Sequence, residues 1–279
     1  MNRLDLAKRK LIIHLLVKKV SIRDTAEIAD VSPTTVLKLL EDVGAECSVY
    51  LHLNLIKLPC TRIQADELWS FIKMKEKHVP PHLKGLSDYG ETYTWVALCP
   101  DTKLVPCFLV GRRDTEHAIK FMDDLAWRLP NRIQLTTDGH DPYLKAVKAA
   151  FGDKIDFAMV KKEYGGTRLL RDGTTKKYSS SACSNITKEV ICGNPDPKHI
   201  STSLVERQNL TMREGIRRFS RKTIAFSKTH WNHHAAVALH FMHYNFARPH
   251  KSLRGATPAM AAGLSKSAWS IEDIARLAD

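Results

Sequence analysis

Three carboxylates lie far apart in the sequence in settings that could bring them together: Asp66, Asp138 and Glu206. Asp66 stands inside an alternating apolar–polar run, 62–72, that reads as a strand, and Asp138 follows a second such run, 132–137. Glu206 opens an amphipathic helix expected over 203–222. A second strand parallel to the first and beside it would set Asp138 next to Asp66. A helix packed on the same edge would carry Glu206 across to both. Carboxylates gathered in this way repel one another, and a pair of divalent cations is the natural relief. Oxygen ligands suit Mg²⁺ or Mn²⁺. Two such ions about 4 Å apart stabilise the attacking and leaving oxygens of an in-line phosphoryl displacement. Each acid also has a plainer reading. Asp66 is a strand charge, Asp138-Gly139 a turn, and Ser203-x-x-Glu206 a capping box. Because consecutive strand residues face opposite ways, only one of Asp66 and Glu67 is expected in any one site.

On the Glu206 helix, Val205, Met212, Ile216 and Phe219 recur at helical spacing as an apolar stripe, with Glu206, Asn209, Arg213 and Arg217 on a neighbouring face. The formal net charge of +13 points to a polyanionic partner. Its excess gathers on 161–177 and on Arg207, Arg213, Arg217, Arg221 and Lys222, which are candidate phosphate contacts.

The elements that must position these groups follow in order. An amphipathic helix is expected over 4–19, then a helix-turn-helix over 21–44. Asp30 takes the left-handed turn position, Ser32-Pro33 gives an N-cap with proline in the first turn, and Val36, Leu39 and Leu40 face the core. Thr34, Thr35 and Lys38 then face outward, where such a helix meets a DNA major groove. Gly44 reads as the end of that helix. The stretch 47–60, with Val49, Leu51, Leu53 and Leu55 alternating, reads as an extended linker or edge strand. The main unit, 61–265, reads as strands at 62–72, 92–98 and 104–110, a helix at 115–129 capped by Thr115, the 132–137 strand, a helix at 142–151 and a strand at 155–160. That order implies an α/β fold with a mixed five-stranded sheet flanked by helices, preceded by an all-α head in 1–46. A basic insertion, 165–199, carries a hairpin signal at Asp172-Gly173. A helix over 229–246 should bury Trp231, Ala235, Ala238, Leu239 and Met242, and a last helix falls in 266–279.

The six cysteines include no C-x-x-C pair and read as reduced thiols. A zinc site from Cys183, Cys192 and His199 lacks paired ligand spacing, and the histidines of 230–243 read as surface or core residues. No apolar run is long enough to span a bilayer, so a cytoplasmic, nucleoid-associated protein is expected.

Several segments resemble the DDE transposases of bacterial insertion sequences, closest to the IS-one group of the ribonuclease-H-like, retroviral-integrase superfamily. They are Gln64-Ala-Asp66-Glu-Leu-Trp69, Leu135-Thr-Thr-Asp138-Gly, Val205-Glu206-Arg-Gln-Asn209-Leu-Thr-Met-Arg213, Phe219-Ser-Arg221-Lys222-Thr and Tyr244-Asn245-Phe-Ala-Arg248-Pro249-His250. The resemblance implies a ribonuclease-H-like catalytic domain whose metal-binding triad is Asp66, Asp138 and Glu206, with Arg213 at the basic position that touches DNA. It implies cutting at the element's ends and joining of the freed 3′-OH to target DNA. The implied partners are terminal inverted repeats, target DNA and at least one further copy of the chain. Two alternatives stay open, a catalytically inactive DNA-binding regulator and a nuclease of the same fold. Relatives often carry a zinc-binding segment before the helix-turn-helix. This sequence starts without one, so weaker terminal-repeat recognition is expected.

Overall fold

The computed structural model describes residues 4–164, 183–220 and 223–279. The Asp172-Gly173 hairpin signal, Arg221 and Lys222 lie outside the described residues. The sheet is six-stranded, in the order β3-β2-β1-β4-β5-β6. Strands β1 (Arg62–Ile72), β2 (Gly90–Leu98) and β3 (Phe108–Gly111) form an antiparallel meander. β4 (Ile133–Asp138) pairs parallel to β1, and β5 (Ile155–Tyr164) parallel to β4. The expected ribonuclease-H-like α/β order is present, but with six strands and not five. The extra strand, β6 (Cys183–Cys192), pairs antiparallel with β5 and comes from the basic insertion. β3 is shorter than the expected 104–110, since Pro106 has no N–H for a ladder.

Helix α4 (Thr115–Arg128) is capped by Asp114, one residue before the expected Thr115, and α5 (Pro142–Phe151) falls where its pattern placed it. α6 spans Ser203–Gly215 and α7 His230–Met242. The apolar stripe of α6 is buried at Val205 and Met212, and each such side chain contributes about 1.5–3 kcal/mol by leaving water. Gly215 ends the helix, so Ile216 and Phe219 join the core from a following short turn, not from a helix reaching 222. On α7, Ala235, Ala238, Leu239 and Met242 are buried as expected, whereas Trp231 is 53% exposed and His233 takes the interior position.

The helical head consists of α1 (Leu6–Val17), α2 (Ile22–Ile28) and α3 (Pro33–Asn54). Asp30 has φ +50°, and the Ser32 side chain accepts from Thr35 N, as the sequence predicts. The expected helix end at Gly44 and the extended 47–60 connector do not form, because α3 runs through both as far as Asn54. A Cβ at Gly44 would lie 2.6 Å from Ala235, so this glycine lets α3 cross α7 closely. Cys47, Leu51 and Leu55 are buried while Leu53 is 61% exposed, a helical face within the apparent alternation. Arg128 Nη1 donates to the Leu55 carbonyl (2.9 Å) at the end of α3. α8 (Pro258–Ala261) and α9 (Ile271–Arg276) follow, capped by Thr257 and Ser270, and Arg9 of α1 donates to Ala275 O on α9 (3.3 Å). Among the described residues no helix is long and apolar enough to cross a membrane.

Candidate active site

The parallel pairing of β1 with β4 reaches only Ala65↔Thr137. The next residues, Asp66 and Asp138, stand where the two strands part, at the rim of a cleft of about 950 Å³. Glu206 and Asn209, from the first two turns of α6, line the same cleft, with Arg113, His140, Lys161, Lys162 and Arg213 around it. The structure therefore brings the three sequence-picked acids to one place.

Glu206 is not spent on capping α6. The Ser203 capping box does not form, because the helix begins at Ser203 with Thr202 before it. Instead the Gln64 side chain on β1 accepts from Leu204 N (3.0 Å) and Val205 N (3.1 Å). With those N–H groups satisfied from the sheet, the Glu206 carboxylate turns outward, to Thr202 Oγ1 (2.5 Å) and Lys162 Nζ. The sequence reading missed Gln64. Its signal was a polar side chain pointing inward from a buried strand two residues before Asp66.

Glu67 was missed as well. Oxygens of Asp66, Glu67 and Asp138 lie within 4.8 Å of one another, although strand alternation sends the first two to opposite faces. β4 ends at Asp138, and from there Arg113 reaches both Asp138 and the buried Glu67. This close trio does not extend to Glu206, which lines the cleft from the helix side. Asp66 Oδ1 accepts from Glu67 N (2.9 Å) and Oδ2 from Asn209 Nδ2 (2.8 Å). Asp138 Oδ1 accepts from His140 N (3.1 Å). Arg113 bridges the other two acids, with Nε on Glu67 Oε2 (3.0 Å) and Nη2 on Asp138 Oδ2 (3.2 Å).

Burial first, then the Asp138 charge, push both Asp66 and Glu67 up to about 7. Burial, and then the nearby Glu67, raise the Tyr143 hydroxyl well above its usual value. Asn209 Oδ1 is a buried acceptor without a hydrogen-bond partner beside these acids. An all-oxygen set with an unmet acceptor fits a hard divalent cation, and Mg²⁺ and Mn²⁺ are its natural class.

Residues 184–247 match the IS1 transposase family model. The match holds Glu206, Asn209 and Arg213, with α6 and α7 entire, and so bears out the transposase resemblance read from the sequence. Both catalytic-candidate aspartates lie before it. No curated protein sequence matches the chain. Among solved structures, a piggyBac transposase synaptic complex with hairpin DNA aligns over 98% of this chain and 69% of its own, at 12% identity and a TM-score of 0.39. A pre-cleavage Mos1 transpososome aligns over 56% of this chain at 15% identity and a TM-score of 0.23, so the match spans 60% of the Mos1 chain.

The transposase-like segment also fixes where the basic residues stand. Arg207 and Arg217 are exposed, and Arg213 lines the cleft one helical turn beyond Asn209. Asn209, expected among the DNA contacts, is buried on Asp66. In the head, Thr34 and Lys38 are exposed and Lys38 pairs with Asp42 (3.6 Å), while Thr35 Oγ1 lies 2.9 Å from Ser32 Oγ. Cys183 and Cys192 stand at opposite ends of β6, about 30 Å apart at strand rise, so they cannot share a metal. His199 pairs with Asp196 (3.6 Å).

Proposed function

We propose that the chain is a DDE transposase that cuts DNA at the ends of an insertion sequence and joins the freed 3′-OH to target DNA. The observation that supports it most is the gathering of Asp66, Asp138 and Glu206 at one cleft, with Glu206 inside the segment that matches the IS1 transposase model. A pair of Mg²⁺ or Mn²⁺ ions held by Asp66, Asp138 and Glu206 would neutralise charge on the attacking and leaving oxygens of each displacement. Asn209 and the Glu67 N–H orient Asp66, and His140 N–H orients Asp138. Arg213, Arg207 and Arg217, together with Arg221 and Lys222, hold phosphates and make binding fall as salt rises.

In this reading the 1–46 head takes the terminal repeat, with Thr34, Thr35 and Lys38 toward the bases. The 61–265 unit performs both transesterifications, and two DNA ends are paired by two or more copies of the chain. The test is labelled terminal-repeat DNA incubated with purified protein and Mg²⁺ or Mn²⁺. The wild-type chain is expected to nick and join. Asp138→Asn is expected to bind the same DNA without nicking it. Undiminished nicking by Asp138→Asn would remove the triad. Binding without nicking by the wild type would make the chain a regulator, and nicking without joining would make it a nuclease.

A further inference from the structure

Crowding Asp66, Glu67 and Asp138 within 4.8 Å needs a positive charge nearby. One side chain supplies it to two of the three. Arg113 leaves the loop between β3 and α4 and spreads its guanidinium from Glu67 to Asp138. The two ends of this bridge differ. The Glu67 side chain is 1% exposed, with one oxygen on Arg113 and the buried Tyr143 hydroxyl beside the carboxylate. Asp138 is 34% exposed at the cleft, and its Oδ2 accepts Arg113 at the longer of the two distances. Glu67 is thus the anchor and Asp138 the open end. The other acids have holders of their own, Asn209 for Asp66, and Thr202 and Lys162 for Glu206.

We propose that Arg113 is a positioning residue that serves as the cluster's built-in counter-cation, anchored on Glu67 and holding Asp138 until a divalent ion takes its place. This rests on the reading above that Asp66, Asp138 and Glu206 hold the metal, with Glu67 beside them as the anchor of Arg113. The guanidinium and the ion compete for the same Asp138 oxygen, so the bridge sets a threshold for metal entry and keeps the acids gathered before it. The planar fork suits this, since one arm can stay on Glu67 while the other lets go.

The test is Mn²⁺ titration of the full chain without DNA, read by calorimetry or by the loss of the free-ion paramagnetic signal. Glu67→Gln with Arg113→Met removes one negative and one positive charge together, leaving the local net charge unchanged. This double variant is expected to bind Mn²⁺ about tenfold more tightly, the scale of one lost charge-assisted competitor. Glu67→Gln alone frees the guanidinium to settle on Asp138 and is expected to bind more weakly than the wild type, and adding Arg113→Met to it is expected to reverse that loss. Arg113→Lys keeps the charge but cannot span both acids, and is expected to tighten binding by less than the double variant. It serves as the second probe should the double variant not fold. A purely structural arginine would lower melting temperature in these variants without moving Mn²⁺ affinity, and that outcome, or weaker binding by a folded double variant, overturns the proposal. Failure of every variant and of the wild type to bind Mn²⁺, with or without DNA, would instead overturn the metal reading itself.

Discussion

Replacing Gln64 by Leu tests the link between helix capping and the freedom of Glu206. The Gln64 side chain is buried and accepts from two N–H groups at the start of α6, at 3.0 and 3.1 Å. Leucine has nearly the same volume but no acceptor. Losing a helix cap costs about 0.5–2 kcal/mol, and stranding a buried donor about 1–3 kcal/mol, so about 3 kcal/mol is expected here. For a chain of this size that lowers the melting temperature by roughly 6–12 °C. Gln64→Glu keeps the acceptor but buries a further carboxylate two residues from Asp66, so it should recover part of the loss only at low pH, where that carboxyl is protonated. Glu206→Gln should shift stability by less than about 1 kcal/mol, because its ion pair with Lys162 is partly exposed. Thermal melts of the three variants decide the matter. A Gln64→Leu variant melting within a degree of the wild type, or a Glu206→Gln variant as unstable as Gln64→Leu, would return Glu206 to the role of a cap.

Gly44→Val should be destabilising by about 2 kcal/mol or more, through overpacking against Ala235, and chemical denaturation with urea would measure it. Burial first holds the His233 and His240 rings near 3 and the His243 ring near 4, all below the usual histidine value. Folded-state values below the unfolded value mean that stability is present above about pH 6.5 and is lost as pH falls toward 3–4. His240→Phe should therefore flatten the melting temperature against pH between about 4 and 6.5. Lys38→Ala should weaken binding to the terminal repeat by about 1–3 kcal/mol and narrow its preference over unrelated DNA, measured by fluorescence anisotropy.

The meeting of Asp66, Asp138 and Glu206 at one cleft was legible because its logic is topological. Strand, strand and helix in that order, with β4 parallel to β1, fix which of their side chains can meet. Local conformations with one dominant cause were legible too, such as the left-handed Asp30 and the Ser32 cap. What failed depended on distant partners. Gly44 reads as a stop signal, yet it is a mid-helix glycine whose reason is Ala235, far along the chain. The alternation from Val49 to Leu55 imitates a strand, while Leu51 and Leu55 are also one helical turn apart. Glu67 was set aside because strand alternation points it away from Asp66, yet its oxygens still come within 4.8 Å of Asp66 and Asp138, and Arg113 joins it to Asp138. Gln64 was passed over because a capping acceptor was sought within α6, not across the sheet.

The unbroken α3 makes the molecule a caliper. At 1.5 Å per residue the helix from Pro33 to Asn54 is a rod of about 33 Å, braced against α7 at Gly44. The surface presented by its first turn therefore has a set reach and azimuth relative to the cleft. Inserting a single residue after Asn54 would leave that geometry nearly intact. One inserted between Lys38 and Gly44 would swing the leading face by about 100°.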